Sequence, residues 1–121
     1  MARVLIVDDS PAEAHSLAKV LEKNGHQVIT APDGESGIAS AKANTPDVIL
    51  MDVVMPGLNG FQATRQLKKD SSTSAIPVII VSTKSQATDR VWGMRQGAND
   101  YITKPVDEAA LVESINNVLG S

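Results

Sequence analysis

Short runs of hydrophobic residues alternate along the chain with longer segments in which hydrophobic residues recur at helical spacing. Five of these runs are rich in β-branched residues, and they occupy residues 4–7, 28–31, 48–51, 78–81 and 101–102. The runs are continuous rather than alternating with polar residues, which is typical of strands buried on both faces of a parallel sheet. The pattern therefore predicts five short, buried strands.

The segment after the first run predicts a helix with clear ends. Ser10 is a candidate N-cap, Pro11 occupies the first helical position, and Glu13 completes a predicted capping box. Asn24 and Gly25 mark the end of this helix. Its predicted inward residues are Ala14, Leu17, Ala18 and Leu21.

Four further helices are predicted after the other runs. The second helix spans residues 34–43 and is closed by Pro46, and the third begins near Asn59 and Gly60. The fourth ends before Gly97, and the fifth begins at Asp107. The inward residues predicted for the last two are Ala87, Val91 and Met94, and then Leu111, Ile115, Val118 and Leu119. Repeated strand–helix units indicate a parallel sheet with right-handed crossovers and helices on both faces. We expect one flavodoxin-like, doubly wound α/β domain over residues 1–121, with strand order 2-1-3-4-5.

Composition restricts the classes of function that this domain can have. Hydrophobic residues make up 42% of the chain and aromatic residues only 2%, so the core is expected to be aliphatic. A net charge of -3 and the lack of a Lys/Arg cluster argue against nucleic-acid binding. The absence of cysteine excludes disulfides and thiol chemistry and fits a reducing compartment. The first apolar run is too short for a signal peptide or a membrane span, so we expect a cytoplasmic protein.

Polar residues follow four of the predicted strands. Ligands of open α/β sheets bind beyond the carboxyl ends of the strands where the strand order reverses, which here lies between strands 1 and 3. Asp8 and Asp9 follow strand 1 and Asp52 follows strand 3, so three carboxylates are expected to converge. Ser82 and Lys104 follow strands 4 and 5 and would add a hydroxyl and an ammonium group at the same edge.

Each of these residues, taken alone, has a simpler explanation as a capping acid, a turn hydroxyl or a solvated charge. Taken together, three close carboxylates repel one another and must bind protons or a cation. At neutral pH a hard divalent cation is the simpler of these two explanations. Mg²⁺ fits this description, because it prefers oxygen ligands and bridges carboxylates to phosphates. Asp52 stands apart from the adjacent pair and precedes a turn at residues 55–57, which favours it as a nucleophile. Lys104 and Ser82 would then neutralise the transferring oxygens.

Four motifs in this order resemble the receiver domain of two-component response regulators. They are Val7-Asp8-Asp9-Ser10, the segment from Leu50 to Gly57, Val81-Ser82 and Lys104-Pro105. The resemblance implies that Asp52 accepts a phosphoryl group from a histidine kinase, and that the protein catalyses only its own phosphorylation and dephosphorylation. It also implies Mg²⁺ or Mn²⁺ bound by Asp8, Asp9, Asp52 and the backbone carbonyl of Val54. Ser82 and Lys104 would contact the phosphoryl oxygens, and the peptide bond before Pro105 would be cis.

The resemblance further implies a switch. Ser82 would move toward the phosphoryl group and Tyr101 would turn inward, remodelling the face formed by helix 4, strand 5 and helix 5 for a downstream protein target. The simpler alternative for Tyr101 is a half-buried strand aromatic. Residues 57–66 and 76–107 resemble single-domain regulators of chemotaxis-like systems that control type IV pili and twitching motility. A monomer or weak dimer is expected.

Three positions depart from the common pattern or stand out from it. Val54 is apolar where many relatives are polar, and Lys84 is basic two residues after Ser82. Both positions flank the expected path of the attacking water, so the sequence does not predict the dephosphorylation rate. Trp92 lies one position off the predicted inward stripe, on a face shared with Arg95. It either packs at the helix edge or, with Arg95, forms a partner surface.

Three other functions are compatible with parts of this pattern. A haloacid-dehalogenase-type phosphatase would need a second Asp where this chain has Val54. A flavodoxin-like cofactor binder would need a phosphate-cradling loop where Asp8 and Asp9 stand. A degenerate receiver serving only as an interaction module is disfavoured by the complete set of acids.

Overall fold

The computed structural model describes residues 2–120, which form alternating strands and helices. The elements are β1 (Arg3–Val7), α1 (Pro11–Lys23), β2 (Gln27–Ala31), α2 (Gly34–Asn44), β3 (Val48–Met51), α3 (Gly60–Lys69), β4 (Val78–Ser82), α4 (Ala87–Arg95), β5 (Asp100–Thr103) and α5 (Glu108–Gly120). The strands form a five-stranded parallel sheet in the order β2-β1-β3-β4-β5, which confirms the predicted architecture. None of the helices in this part of the chain is long and apolar enough to cross a membrane.

The register of the central strands determines where the polar residues meet. Val7 at the end of β1 pairs with Met51 at the end of β3. Asp8 and Asp52 are therefore the next residues on adjacent parallel strands, and their side chains start from neighbouring positions. The backbone pairing continues across this point, because the Asp52 amide donates to the carbonyl of Val7 at 2.9 Å.

The core lies on both faces of β1, β3 and β4 and is aliphatic, as predicted. One cluster is formed with α1 and α5, and a second with α2 and α3. A smaller third cluster consists of Val53, Phe61, Ile80, Ala98 and Tyr101. The prediction that every strand is buried on both faces was wrong for the two edge strands. In β2 only Ala31 is fully buried, and in β5 only Tyr101 is. An edge strand has a neighbour on one side only, so its apolar residues receive less cover.

Glycine at position 60 lets α3 begin against the loop that carries Asp52. A Cβ atom at Gly60 would lie 1.9 Å from the backbone oxygen of Asp52. The Gly60 amide donates to the carbonyl of Val53 at 3.0 Å, and Asn59 caps the helix by accepting from Gln62 at 2.9 Å. The start of α3 and the candidate nucleophile are thus held together through backbone contact.

The predicted inward face of α4 was wrong. Ala87 is exposed, and Val91 and Met94 are 51% and 44% exposed, while the buried residues of this region are Gly93 and Gln96. A Cβ atom at Gly93 would lie 2.9 Å from Cδ1 of Ile80 and 3.1 Å from the ring of Tyr101. The helix therefore packs through its glycine, which turns the apolar stripe outward.

In α5 the predicted face was correct except at its end. Leu111 and Ile115 are fully buried and Val118 is partly buried, but Leu119 is exposed. Leu119 lies near the end of the helix, beyond the cover that the sheet provides.

Candidate functional site

Three carboxylates converge at the carboxyl ends of β1 and β3, as predicted. One oxygen each from Asp8, Asp9 and Asp52 lies within 4.8 Å of the others. Asp8 and Asp52 are buried, whereas Asp9 is exposed to solvent. The group therefore has a protected inner side and an open outer side.

The chemistry of this donor set fits a hard divalent cation. Carboxylate oxygens are ligands that Mg²⁺ prefers, and the exposure of Asp9 leaves room for the waters that this ion retains. Val54 lies in the loop after Asp52, and its side chain is exposed. Its backbone carbonyl as a metal ligand stays a prediction.

Lys104 brings a positive charge into the same site. Its Nζ lies 3.3 Å from Oδ2 of Asp8 and 3.4 Å from Oδ1 of Asp52. A third carboxylate, that of Glu13, lies 3.0 Å away. The peptide bond between Lys104 and Pro105 is cis, as the resemblance implied. Burial lowers the pKa of Lys104, but the carboxylates of Glu13, Asp52 and Asp8 together outweigh it and raise that pKa above its ordinary value, so the group stays an ammonium ion.

Asp52 has the strongest electrostatic perturbation in the site. Burial is the largest cause and raises its pKa to about 6, with a smaller increase from the charge of Asp8. The charge of Lys104 and the Val53 amide, which donates to Oδ1 of Asp52 at 2.9 Å, act in the opposite direction. Near neutral pH this carboxylate is ionised yet poorly solvated, and both properties suit a nucleophile or a cation ligand.

Ser82 and Tyr101 are connected through the loop after β4. Ser82 is the last residue of β4 and is fully buried, and its hydroxyl accepts from the Lys84 amide at 3.1 Å. Tyr101 is 3% exposed, and its hydroxyl donates to the Lys84 carbonyl at 2.7 Å. Burial raises the pKa of Tyr101, and a hydrogen bond with Ser82 acts against that increase. The alternative of a half-buried Tyr101 was therefore wrong, since the ring already lies inward.

Glu13 is a site residue that the sequence reasoning missed. Its backbone amide is capped by Ser10 as predicted, at 3.3 Å, but its side chain does not close the predicted capping box. The carboxylate contacts Lys104 instead. A signal was present in the sequence, because α1 begins directly after Asp8 and Asp9, so its first turn had to border the acidic group.

Trp92 and Arg95 lie away from the acidic group. Trp92 is half-exposed and lines a groove of about 400 Å³ between α3 and α4, together with Phe61 and Arg65. Arg95 is exposed. Trp92 thus packs partly at the helix edge and leaves the rest of its ring open, and the partner surface stays a prediction.

Comparison with known proteins finds similarity to response regulators along nearly the whole chain. A family model described as the response regulator receiver domain matches residues 4–116. Protein PilH of Pseudomonas aeruginosa is 67% identical over 119 residues, which cover 98% of each chain. Response regulator PleD of Caulobacter vibrioides is 39% identical over 117 residues, and the chain spans 26% of that longer protein.

Solved structures show the same fold. The chemotaxis protein CheY4 of Vibrio cholerae superposes with a TM-score of 0.91 at 31% identity, covering 98% of this chain and 99% of that one. The receiver domain of a sensor histidine kinase from Pseudomonas aeruginosa PAO1 superposes with a TM-score of 0.92 at 30% identity, covering 99% of this chain and 98% of that one. That structure has a magnesium ion coordinated in its active-site cleft.

Proposed function

The chain belongs to the response regulator receiver domain family, and from this premise we propose that Asp52 accepts a phosphoryl group from a phosphohistidine of a histidine kinase. The observation that carries the proposal is the meeting of three carboxylates with Lys104, whose ammonium lies 3.3 Å from Asp8 and 3.4 Å from Asp52. Such a site holds a cation and a nucleophile side by side, which is what phosphoryl transfer to a carboxylate requires.

Each residue has a distinct part in the proposed transfer. An oxygen of Asp52 attacks the phosphorus, the bond from phosphorus to the histidine nitrogen breaks, and the nitrogen keeps the electron pair and takes up a proton. The ammonium of Lys104 stabilises the negative charge on the transferring oxygens. A Mg²⁺ ion held by Asp8, Asp9, Asp52 and the Val54 carbonyl would neutralise further charge on those oxygens.

The protein serves as a phosphoacceptor switch, and the reactions it promotes are its own phosphorylation and dephosphorylation. The readout of the switch is the face formed by α4, β5 and α5, where a downstream protein would bind. Tyr101 lies under this face, with Arg90 5.5 Å above its ring. A motion of Ser82 toward the phosphoryl group would break its contact with the loop at Lys84, and Tyr101 depends on the same loop.

Control of pilus-based motility is the proposed cellular role. It is supported by the resemblance to single-domain regulators of type IV pili and by the 67% identity to PilH. Expression of this chain in Pseudomonas aeruginosa lacking PilH tests the role. Restored twitching with the wild-type chain but not with Asp52→Asn is expected, and equal twitching with both would contradict it.

The biochemical test uses a small-molecule phosphodonor. Phosphoramidate and Mg²⁺ are expected to add one phosphoryl group to the wild-type protein, measured by intact mass. Labelling should disappear in Asp52→Asn and in excess chelator, and persist in Glu22→Gln, which removes an exposed acid outside the site. Equal labelling of Asp52→Asn would remove Asp52 from its proposed role, and labelling in chelator would contradict the metal assignment.

A further inference from the structure

Glu13 makes the shortest of the three ion pairs of Lys104. The distances from Nζ are 3.0 Å to Glu13, 3.3 Å to Asp8 and 3.4 Å to Asp52. An ammonium group has three N–H donors and no more. Asp8 and Asp52 accept hydrogen bonds from Lys104, and Glu13 forms an ion pair with it, so a phosphoryl oxygen on Asp52 approaches Lys104 in competition with Asp8 and Glu13.

The side chain of Glu13 is free to reach Lys104 because it is not used in the helix cap. In α3 the corresponding residue, Gln62, accepts from the amide of the N-cap residue Asn59 at 3.0 Å. In α1 the amide of Ser10 donates instead to Oδ1 of Asp8 at 2.9 Å. Asp8 thus accepts the hydrogen bond from the N-cap amide that Glu13 would accept in a capping box, and the Glu13 side chain extends into the site.

Asp52 itself carries the phosphoryl group after transfer, so Asp8 and Glu13 are the carboxylates that remain beside Lys104, and solvent exposure identifies which of them gives way. The Glu13 side chain is 49% exposed, whereas those of Asp8 and Asp52 are 2% and 9% exposed. A half-exposed carboxylate regains water when it loses its partner, but a buried one does not. Glu13 is therefore the partner that is released at the lowest cost in free energy.

We propose that Glu13 is a positioning residue that holds the ammonium of Lys104 in the unphosphorylated site and competes for it with the phosphoryl group on Asp52. This inference rests on the proposed phosphoryl site. The contact keeps Lys104 oriented before transfer, and its loss on phosphorylation weakens binding of the phosphoryl group. A half-exposed ion pair of this kind corresponds to about a two- to fivefold change in affinity.

The test compares Glu13→Gln with a matched control, Glu108→Gln. Both acids lie in the first turn of a 13-residue helix, both side chains are about half-exposed, and both line the groove that contains Lys104. They differ in that Glu13 contacts Lys104, whereas Glu108 pairs with Lys23 at 3.3 Å. The control removes the same charge from the same groove without touching the proposed contact.

Two measurements are made on the full chain. The first is the affinity for beryllofluoride, a phosphoryl mimic, with Mg²⁺ present, by titration calorimetry. The second is the ¹⁵Nζ resonance of Lys104 without beryllofluoride. We expect Glu13→Gln to bind beryllofluoride about two- to fivefold more tightly and to shift the Lys104 resonance, with neither effect in Glu108→Gln.

The outcomes separate this inference from the function on which it rests. Unchanged or weaker binding by Glu13→Gln overturns the competition, and an unshifted Lys104 resonance overturns the contact. An equal gain in Glu108→Gln would assign the effect to the general field of the groove and also overturn the inference. A wild-type protein that binds no beryllofluoride contradicts the proposed phosphoryl site itself, and the inference falls with it.

Discussion

Replacing Asp52 with Asn should stabilise the metal-free protein, although it removes the residue on which function is proposed to depend. The folded-state pKa of Asp52 is about 6, against an ordinary value of 3.8. The folded protein therefore binds a proton at Asp52 more tightly than the unfolded chain does, and ionisation of this group opposes folding. The destabilisation is absent below the unfolded pKa, develops as pH rises from about 4 to 6, and is complete above that range.

The magnitude follows from the pKa difference. The interval from 3.8 to about 6 corresponds to about 3 kcal/mol in the free energy of unfolding. Solvent at the open side of the site, next to the exposed Asp9, screens part of this electrostatic destabilisation. We therefore expect the substitution to raise the free energy of unfolding by about 1–3 kcal/mol. The amide oxygen of Asn at position 52 can still accept from the Val53 amide, so little packing is lost.

Urea denaturation in chelator measures this effect. Asp52→Asn should exceed the wild type in stability by about 1–3 kcal/mol near pH 8, and the difference should close near pH 4. Asp70→Asn is a control of opposite sign, because hydrogen bonds from Ser72 and then the contact with Lys42 lower the pKa of Asp70 to about 2. That contribution to stability is present above the unfolded pKa and is lost as pH falls, so Asp70→Asn should be less stable near pH 8. A pH-independent difference for Asp52→Asn, or a loss of stability near pH 8, would refute the reasoning.

Three further predictions concern the metal, the close packing at Gly60 and the hydrogen bond of Tyr101. Saturating Mg²⁺ should raise the thermal denaturation midpoint of the wild type more than that of Asp52→Asn, and an equal rise in both would place the ion elsewhere. Gly60→Ala should lower stability by more than about 3 kcal/mol and reduce labelling, because its Cβ atom would lie 1.9 Å from the Asp52 backbone oxygen. Its control is Gly120→Ala: among residues 2–120, and apart from its sequence neighbours and its own helix backbone, a Cβ atom at Gly120 would meet no atom within 4 Å, so this variant should denature like the wild type. Similar losses in both variants would contradict the contact. Tyr101→Phe should lose about 0.5–1.5 kcal/mol in urea denaturation, because it removes the bond to Lys84, and an unchanged midpoint would count against that bond.

The acidic group could be predicted from the sequence because parallel strands present their carboxyl ends at one edge. Once β1 and β3 are neighbours, Asp8 and Asp52 meet for any register that pairs the strand ends. The remaining site residues on strand ends, Ser82 and Lys104, follow by the same rule. Lys104 contacts both buried acids, while Ser82 bonds to the loop at Lys84.

What could not be predicted depends on choices between competing contacts. The periodicity of α4 identifies an apolar stripe, but Gly93 allows a closer approach to Ile80 than Val91 does, so the glycine faces inward. Local rules assigned the Glu13 side chain to a helix cap, while the structure pairs it with Lys104 far along the chain. In both cases a tertiary contact prevails over a valid local preference.

Chemical mapping of the phosphorylated residue tests the central claim most directly. Borohydride reduces an acyl phosphate to an alcohol and would convert a phosphorylated aspartate to homoserine, which peptide mass spectrometry can locate. After labelling with phosphoramidate and Mg²⁺, the account predicts homoserine at Asp52 and unmodified aspartate at Asp8 and Asp9. Homoserine at Asp8 or Asp9, or an intact Asp52 in protein that carries the label, would contradict it.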